Sequence, residues 1–168
     1  MIPILTTARL TLRAPVMADF PAYAAFLASD RAWGLGGPLS TEKAWTYFTN
    51  DVAQWSLLGL GAWMICPQGG APVGQVAVCH GPIFPEPELG WFLYAGHEGK
   101  GYAQEAAQAV KSWALGPRRL TALVSYIAPA NAASIRLAER LGGWRDDAAA
   151  TPAGITPLTY RYAPGAAR

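Results

Sequence analysis

Two glycines that flank a lysine stand between a strand-like apolar run and a helix-like run, an arrangement suited to binding an anion. The segment reads Glu98-Gly99-Lys100-Gly101-Tyr102-Ala103. Because glycine has no Cβ, Gly99 and Gly101 allow a tight turn and a close approach of the backbone to a ligand. The first amides of the following helix have no intrahelical partners and lie at the positive end of the helix dipole, which favours a phosphate there. Lys100 adds positive charge, and the small Ala103 leaves room for phosphate oxygens.

Two familiar phosphate motifs do not fit this segment. A P-loop needs its lysine after the last glycine, followed by serine or threonine, whereas Lys100 precedes Gly101. The dinucleotide fingerprint Gly-x-Gly-x-x-Gly would require glycine or alanine where Gln104 stands. From spacing alone, two interpretations stay open: a pyrophosphate site of another kind, or a glycine turn that binds no ligand.

Several side chains near this segment could take a proton from a substrate. Glu88 begins the strand before the turn, where it could be a general base acting through water or merely a solvated strand-end carboxylate. His80 ends the preceding strand and is the second candidate, although a lone histidine at a strand end is commonly incidental. His97 is expected to be a surface residue near the phosphate. Cys66 and Cys79 have no histidine spaced to activate them, so both are expected to be small core residues.

The composition is typical of a soluble folded domain. The chain has 168 residues, of which 52% are hydrophobic and 14% charged, so we expect one domain over residues 1–168. A net charge of +2 without a lysine or arginine stripe argues against a nucleic-acid partner. The two cysteines show neither a disulfide framework nor metal-ligand spacing, so no metal is expected. The chain lacks a membrane-length apolar run and a signal-peptide pattern, which predicts a cytoplasmic protein without a membrane partner.

Hydrophobic periodicity predicts the elements that must position the glycine turn. Strands are predicted near residues 8–14, 60–66, 72–80, 88–94, 120–127, 143–148 and 156–162. In the strand of residues 88–94, Leu89, Trp91 and Leu93 share one face, and Glu88, Gly90, Phe92 and Tyr94 share the other. The proline-rich segment 82–87 is predicted to be a connection.

Capping residues and apolar stripes predict four helices. Asp19 is expected to cap the first and Ser40 the second, in which Trp45, Phe48, Val52 and Trp55 form one buried stripe. The third spans residues 101–115, and the fourth runs from its cap at Asn131 to Leu141. Strands and helices in this order indicate a mixed α/β fold around one twisted sheet.

With these residues in hand, the chain resembles the GNAT superfamily of acyl-CoA N-acyltransferases, and most of all its ribosomal-protein N-terminal acetyltransferases. The resemblance covers nearly the whole chain. Four motifs carry it, in the family's order: Thr7-Ala8-Arg9-Leu10-Thr11-Leu12-Arg13, Glu88-Leu89-Gly90-Trp91, Gly99-Lys100-Gly101-Tyr102-Ala103-Gln104-Glu105-Ala106, and Asn131-Ala132-Ala133-Ser134 continuing to Glu139-Arg140-Leu141-Gly142. It implies a single GNAT-like domain whose twisted, mostly antiparallel sheet has about seven strands with splayed central strands, flanked by about four helices.

The resemblance also implies the cofactor, acetyl-CoA as a co-substrate. In the family, the glycine turn binds the pyrophosphate of coenzyme A, and the pantetheine arm lies between splayed strands, here 92–94 and 120–127. A backbone N–H near Leu93 would polarise the thioester carbonyl as an oxyanion hole does. The implied cofactor-binding residues are Phe92, Leu93, Tyr94, Glu98, Gly99, Lys100, Gly101, Tyr102, Ala103, Asn131 and Ser134.

Two residues depart from the family pattern. Glu98 stands where glutamine or arginine is usual, so its side chain is expected to turn away and leave the phosphate contact to the backbone. Ala138 stands where many members carry a tyrosine that protonates the departing thiolate. Either Ser134 assists the thiolate, or the thiolate leaves unprotonated, which thiols tolerate as good leaving groups.

The resemblance implies an N-acetyltransferase that moves an acetyl group to a primary amine by direct attack on the thioester. Glu88, Ser134 and Leu93 are its expected catalytic residues, and the amine belongs to a protein N-terminus or a small molecule. Two early helices, with Trp33, Leu35, Trp45 and Trp55, are expected to line the acceptor pocket, with the connection 81–87 as another wall. A non-catalytic acyl-CoA sensor is the alternative, motivated by Glu98 and Ala138. Exposed tryptophans would favour a homodimer.

Overall fold

A computed structural model describes residues 2–163, which form one eight-stranded sheet with helices on both faces. The strands are β1 (Leu5–Thr6), β2 (Leu10–Arg13), β3 (Gly61–Pro67), β4 (Gly74–Gly81), β5 (Phe84–Leu93), β6 (Val124–Ile127), β7 (Trp144–Arg145) and β8 (Leu158–Arg161). The helices are α1 (Phe20–Leu27), α2 (Thr41–Leu58), α3 (Tyr102–Leu115) and α4 (Ala132–Arg140), with short 3-10 helices at Met17–Asp19 and Asp30–Leu35. The order in the sheet is β1-β2-β3-β4-β5-β6-β8-β7.

The sheet opens between β5 and β6. All other neighbours are antiparallel, whereas β5 and β6 are parallel and pair only at Glu88 and Val124. Beyond that pair, the Tyr94 amide donates to the Val73 carbonyl at 2.8 Å, on the β4 side. Because successive peptide groups of a strand point to opposite edges, the Leu93 amide faces the gap. The predicted mixed α/β fold with a mostly antiparallel sheet and splayed central strands is confirmed.

Alternating side chains of β5 fall into two apolar layers, as the period of two predicts. Leu89 is fully buried against α3, in the same cluster as Val78 and Val110, and burial of such a side chain contributes about 2 kcal/mol. On the opposite face, the ring of Phe92 stacks on Phe26 of α1 with centroids 4.3 Å apart. The strand therefore presents an aromatic surface to α1 and a mixed apolar surface, Leu89, Trp91 and Leu93, to the cluster that includes α3.

Side-chain capping hydrogen bonds form at two of the three predicted positions. The Ser40 hydroxyl accepts from the Lys43 amide, and the Asn131 side chain accepts from the Ser134 amide at 3.1 Å. Asp19 occupies the N-cap position of α1 as predicted, but its side chain makes no capping hydrogen bond to this helix. Its carboxylate instead forms a two-bond ion pair with Arg13, at 2.7 and 2.8 Å, which ties β2 to the start of α1.

The buried face of α2 differs from the predicted stripe. Trp45 is 44% exposed, whereas Ala44, Phe48, Asp51 and Gln54 are buried. Because Asp51 and Gln54 are polar, a count of apolar residues alone predicts that the neighbouring face of α2 is the buried one. They can be buried there because this part of the sheet offers polar partners rather than an aliphatic surface.

The connection predicted for residues 82–87 is also wrong. β5 already begins at Phe84, paired with Gly81 after a tight turn, and a register irregularity lies between Cys79 and Gly81. Prolines are tolerated at such an irregular strand end because it has few ladder hydrogen bonds to lose. Conversely, the strand predicted for 120–127 starts only at Val124, and that for 143–148 shrinks to Trp144–Arg145.

Candidate active site

A groove of about 700 Å³ lies between the end of β5, the glycine turn and α4. Gly99 (φ +73°) and Gly101 (φ +80°) adopt the left-handed backbone conformation that side chains disfavour. Gly101 precedes α3 and no side chain caps this helix, so its first amides are available to a ligand. The turn thus has the geometry that the sequence predicted for an anion site.

Most of the predicted cofactor-binding residues line this groove. The structure brings together Phe92, Leu93, Glu98, Gly99, Gly101, Tyr102, Ala103, Asn131 and Ser134. Two others lie outside its lining: Lys100 is exposed at the turn, and Tyr94 packs against the rings of Phe26 and Phe92. The predicted contacts of all eleven residues with the cofactor remain predictions.

Three arginines supply the positive charge of the groove. Arg31 comes from the 3-10 helix Asp30–Leu35, and Arg136 and Arg140 come from α4. These side chains are suited to phosphate because guanidinium groups offer several donors in a planar fork. Nothing in the sequence around Arg31 marks it, since its approach to the glycine turn depends on the packing of α1 against β5.

Glu98 is paired rather than free. Its carboxylate contacts the Arg31 guanidinium and accepts a hydrogen bond from the Gly96 amide at 3.0 Å. The negative charge that departs from the family pattern is thereby balanced within the protein. Its carboxylate nonetheless lines the groove rather than turning away from it.

A smaller cavity of about 120 Å³ opens from the groove on the α1 side of β5. Seven residues line both spaces, which makes the two continuous: Phe26, Arg31, Trp33, Trp91, Phe92, Asn131 and Ser134. The residues that line the cavity but not the groove include Leu35, Glu88, Gly90 and Tyr126. A molecule in the cavity would therefore meet one in the groove beside Ser134.

Glu88 is the acidic group of this cavity. An added Cβ at Gly90 would lie 3.2 Å from Glu88 Oε2, so the carboxylate rests over the glycine and uses the space that a side chain would fill. Burial raises the pKa of Glu88 to about 7, the Tyr126 amide opposes this, and the charge of Asp51 adds to it. At neutral pH such a group exchanges protons readily, as a general base must.

A second buried carboxyl group, that of Asp51, lies close enough to Glu88 for its charge to affect the pKa of Glu88. Asp51 of α2 accepts from the Tyr23 hydroxyl at 3.1 Å, and burial raises its pKa to about 7. The thiol of Cys79 lies 4.0 Å from Asp51, and Cys79 is the cross-strand neighbour of Glu88. Asp51 could have been noticed in the sequence as the acid three residues after the buried Phe48.

The cysteines and histidines occupy structural positions. Burial, reinforced by Asp51 and Glu88, raises the pKa of the Cys79 thiol well above its usual value, so a thiolate nucleophile is disfavoured. Cys66 is buried and burial raises its thiol pKa too. The His80 amide donates to Gln54 at 2.9 Å, the His97 amide donates to Tyr94, and neither residue lines the groove or the cavity.

Only some of the residues predicted to line an acceptor pocket lie at the cavity. Trp33 and Leu35 line the cavity, but Trp45 packs against Phe20 on the surface. Trp55 belongs to the core, with its ring 4.5 Å from that of Trp63. The hairpin of residues 81–87 does not line the cavity either.

Comparison with known families decides the classification. The model of the acetyltransferase (GNAT) domain matches residues 9–143. The chain belongs to the GNAT family. It is accordingly an N-acetyltransferase, and the connected groove and cavity beside β5 lie in its GNAT domain.

Solved structures agree with this assignment. An acetyltransferase from Agrobacterium tumefaciens strain C58 is 50% identical, with a TM-score of 0.93 over 96% of this chain and 95% of that one. RimL, described as a ribosomal L7/L12 alpha-N-protein acetyltransferase in complex with coenzyme A, is 19% identical with a TM-score of 0.74 over 95% and 96% of the two chains, which shows a shared fold. The curated relative YkkB of Bacillus subtilis is 42% identical over 55 residues, 33% of this chain and only 32% of its own length.

Two further properties concern residues 2–163 of this GNAT protein. None of the helices described there is both long and apolar enough to span a membrane. Within the same residues, no group of three histidine, cysteine, aspartate or glutamate side chains is arranged to hold a metal ion.

Proposed function

We propose that this GNAT protein transfers the acetyl group of acetyl-CoA to a primary amine by direct attack on the thioester. The observation that carries the proposal is the position of Glu88. This carboxylate, with its pKa raised to about 7, lies in a cavity that opens directly onto the groove at the splayed strands. A base on one side of β5 and an anion site at its end are what the reaction needs.

The groove residues suit coenzyme A. The left-handed glycines leave the amides at the start of α3 open, and Arg31, Arg136 and Arg140 provide charge for phosphate groups. The open edge of β5 offers backbone groups to the amide-containing pantetheine arm, much as an added strand would pair with them. When bound, acetyl-CoA supplies an acetyl group activated as a thioester.

The backbone of β5 would stabilise the charge that develops during transfer. The Leu93 N–H faces the gap between β5 and β6 and would donate to the carbonyl oxygen of the thioester. Removal of one such donor typically costs about 3 kcal/mol of transition-state stabilisation. A main-chain donor held in a sheet loses little by reorganisation, because its direction is fixed before the substrate binds.

Glu88 would accept a proton from the ammonium group of the acceptor, directly or through water, so that the neutral amine attacks the thioester, and would later release the proton to solvent. Ser134 lines both spaces and stands where the departing sulfur is expected. Ala138 is fully buried and cannot donate a proton. The thiolate is therefore protonated with the help of Ser134, or it leaves unprotonated.

The walls of the cavity limit the acceptor. Phe26, Trp33 and Leu35 are apolar, and Glu88 is the acidic group among its lining residues. A volume of about 120 Å³ holds the amine end of a molecule rather than an extended polycation. We therefore assign the acceptor as the α-amine of a protein N-terminus or a small apolar amine; RimL, which shares the fold, is described as an alpha-N-protein acetyltransferase.

Release of free thiol from acetyl-CoA, measured over a panel of N-terminal peptides and small amines, tests this proposal. We expect amine-dependent thiol release by the wild-type protein and a loss of about 100-fold or more in Glu88→Gln. Glu42→Gln, at an exposed site at the start of α2, is the matched control and should keep the wild-type rate. Binding of acetyl-CoA in a thermal-shift measurement without thiol release from any amine would instead favour the sensor.

A further inference from the structure

Arg31 connects three parts of the molecule that border the groove. It projects from the 3-10 helix Asp30–Leu35, pairs with the Glu98 carboxylate in the glycine turn, and donates to the Leu93 carbonyl at 3.4 Å. Its guanidinium thus lies across the open edge of β5, at the boundary of groove and cavity. A side chain in this position must respond to whatever fills the groove.

The present partners of Arg31 are replaceable. The side chains of Arg31 and Glu98 are 44% and 45% exposed, and ion pairs so open to water contribute little stability. A pyrophosphate carries more negative charge than a carboxylate and offers several oxygens to a guanidinium fork. The Leu93 carbonyl lies on the same free edge as the Leu93 N–H. A pantetheine amide would therefore donate to this carbonyl in place of Arg31.

We propose that Glu98 acts as an internal substitute for the pyrophosphate, and that Arg31 moves from Glu98 to the pyrophosphate when acetyl-CoA binds. This inference rests on the proposed function, because it assumes that the groove holds coenzyme A. Glu98 is then a competitor of the cofactor rather than a ligand, and Arg31 is a cofactor ligand held ready. The unusual acid of the glycine turn thereby has a physical role.

The segment that carries Arg31 also borders the acceptor cavity. Trp33 and Leu35 lie two and four residues after Arg31 on the same 3-10 helix, and both line that cavity. Arg31 and one wall of the cavity therefore belong to one short segment, which links the groove to the cavity.

Titration calorimetry tests the inference, because two substitutions should change the affinity for acetyl-CoA in opposite directions. Arg31→Ala should weaken acetyl-CoA binding by about 10-fold to 100-fold, because one charge-assisted contact to phosphate is lost. Glu98→Gln should tighten it by about 2-fold to 10-fold, because the competing carboxylate is removed. For S-acetylpantetheine, which carries no phosphate, Arg31→Ala should not weaken binding at all.

The matched control is Arg145→Ala, which breaks another exposed arginine–carboxylate pair, with Asp147, away from the groove and should leave both affinities unchanged. If Glu98→Gln weakens acetyl-CoA binding as Arg31→Ala does, the pair is only structural and the inference is wrong. Equal weakening of acetyl-CoA and S-acetylpantetheine by Arg31→Ala overturns it as well. Failure of the wild-type protein to bind acetyl-CoA would overturn the proposed function itself, a result distinct from either of these.

Discussion

The carboxylate of Glu88 lies over Gly90, two residues further along the same strand, at the place where a side chain of residue 90 would be. A Cβ added there would come within 3.2 Å of Oε2 and 3.4 Å of Oε1, closer than side chains normally pack. Gly90 therefore fixes where the proposed base sits, although it carries no chemistry of its own.

Gly90→Ala should displace the Glu88 carboxylate and lower kcat/KM by about 10-fold, with little loss of stability because the backbone needs no left-handed conformation. Steady-state kinetics together with thermal melting would separate the two effects. Gly70→Ala is the control, since a Cβ there meets its neighbours at ordinary distances in the β3–β4 turn. Wild-type kinetics in Gly90→Ala would contradict the position assigned to Glu88.

The pH dependence of the reaction should report Glu88. Because burial raises its pKa to about 7, the carboxylate is protonated at pH 6 and becomes a competent base as the pH rises through 7. The kcat/KM of the wild-type protein should therefore increase between pH 6 and pH 8 and then level off. In Glu88→Gln this increase should be absent; a variant that keeps both rate and profile would remove Glu88 from the mechanism.

Gly101→Val should abolish binding of acetyl-CoA. Residue 101 has a φ of +80°, which a β-branched side chain strongly disfavours, and the change would distort the amides at the start of α3. Gly154→Val is the matched control, because Gly154 has a φ of +81° and lies outside the groove. Normal affinity in Gly101→Val would refute the placement of the pyrophosphate at this turn.

Asp51 should make the protein less stable as the pH rises. Burial raises its pKa from the ordinary aspartate range to about 7 in the folded state, so its proton is bound more tightly there than in the unfolded chain. Its stabilising contribution is complete below the ordinary aspartate pKa of 3.8 and is lost progressively as the pH rises from there through 7. The free energy of unfolding of Asp51→Asn, measured with urea, should rise by about 2 kcal/mol relative to that of the wild-type protein between pH 5 and pH 8.

The exposed Asp147, replaced in the same way, provides the baseline for that comparison. A second readout follows from electrostatics. Because the charge of Asp51 raises the pKa of Glu88, Asp51→Asn should shift the kcat/KM profile toward lower pH. A profile that stays in place would mean that the two carboxyl groups are not coupled.

Local signals in the sequence account for the strand–turn–helix. Alternation in residues 88–94 predicts the two faces of β5, and glycines flanking Lys100 predict the turn, because both depend on backbone preferences of neighbouring residues. Asn131 is recognisable as a cap for the same reason. The gap between β5 and β6 could be predicted only from resemblance to a family, since no residue type marks where a sheet opens.

The features that sequence missed depend on contacts between distant segments. The pairing of Arg31 with Glu98 joins residues from the 3-10 helix and the glycine turn, and neither residue is unusual in its local setting. Asp51 and Gln54 resemble exposed helix residues until the Tyr23 hydroxyl of α1 and the His80 amide of β4 are placed beside them. The sequence places Trp55 both in a buried stripe and in a pocket because tryptophan suits both cores and ligands, and only tertiary packing decides between them.

The single pairing of Glu88 with Val124 has a mechanical consequence. It divides the sheet into a plate of five strands and a plate of three, joined along one line by that pair, the Ser125–Leu89 hydrogen bond and the ion pair of Arg161 with Glu86. The cavity beside Glu88 lies along this seam, with lining residues from both β5 and β6, and it opens onto the groove. A molecule bound there would contact both plates and restrain their relative motion. The protein should therefore be most rigid with the ligand bound and most flexible without it.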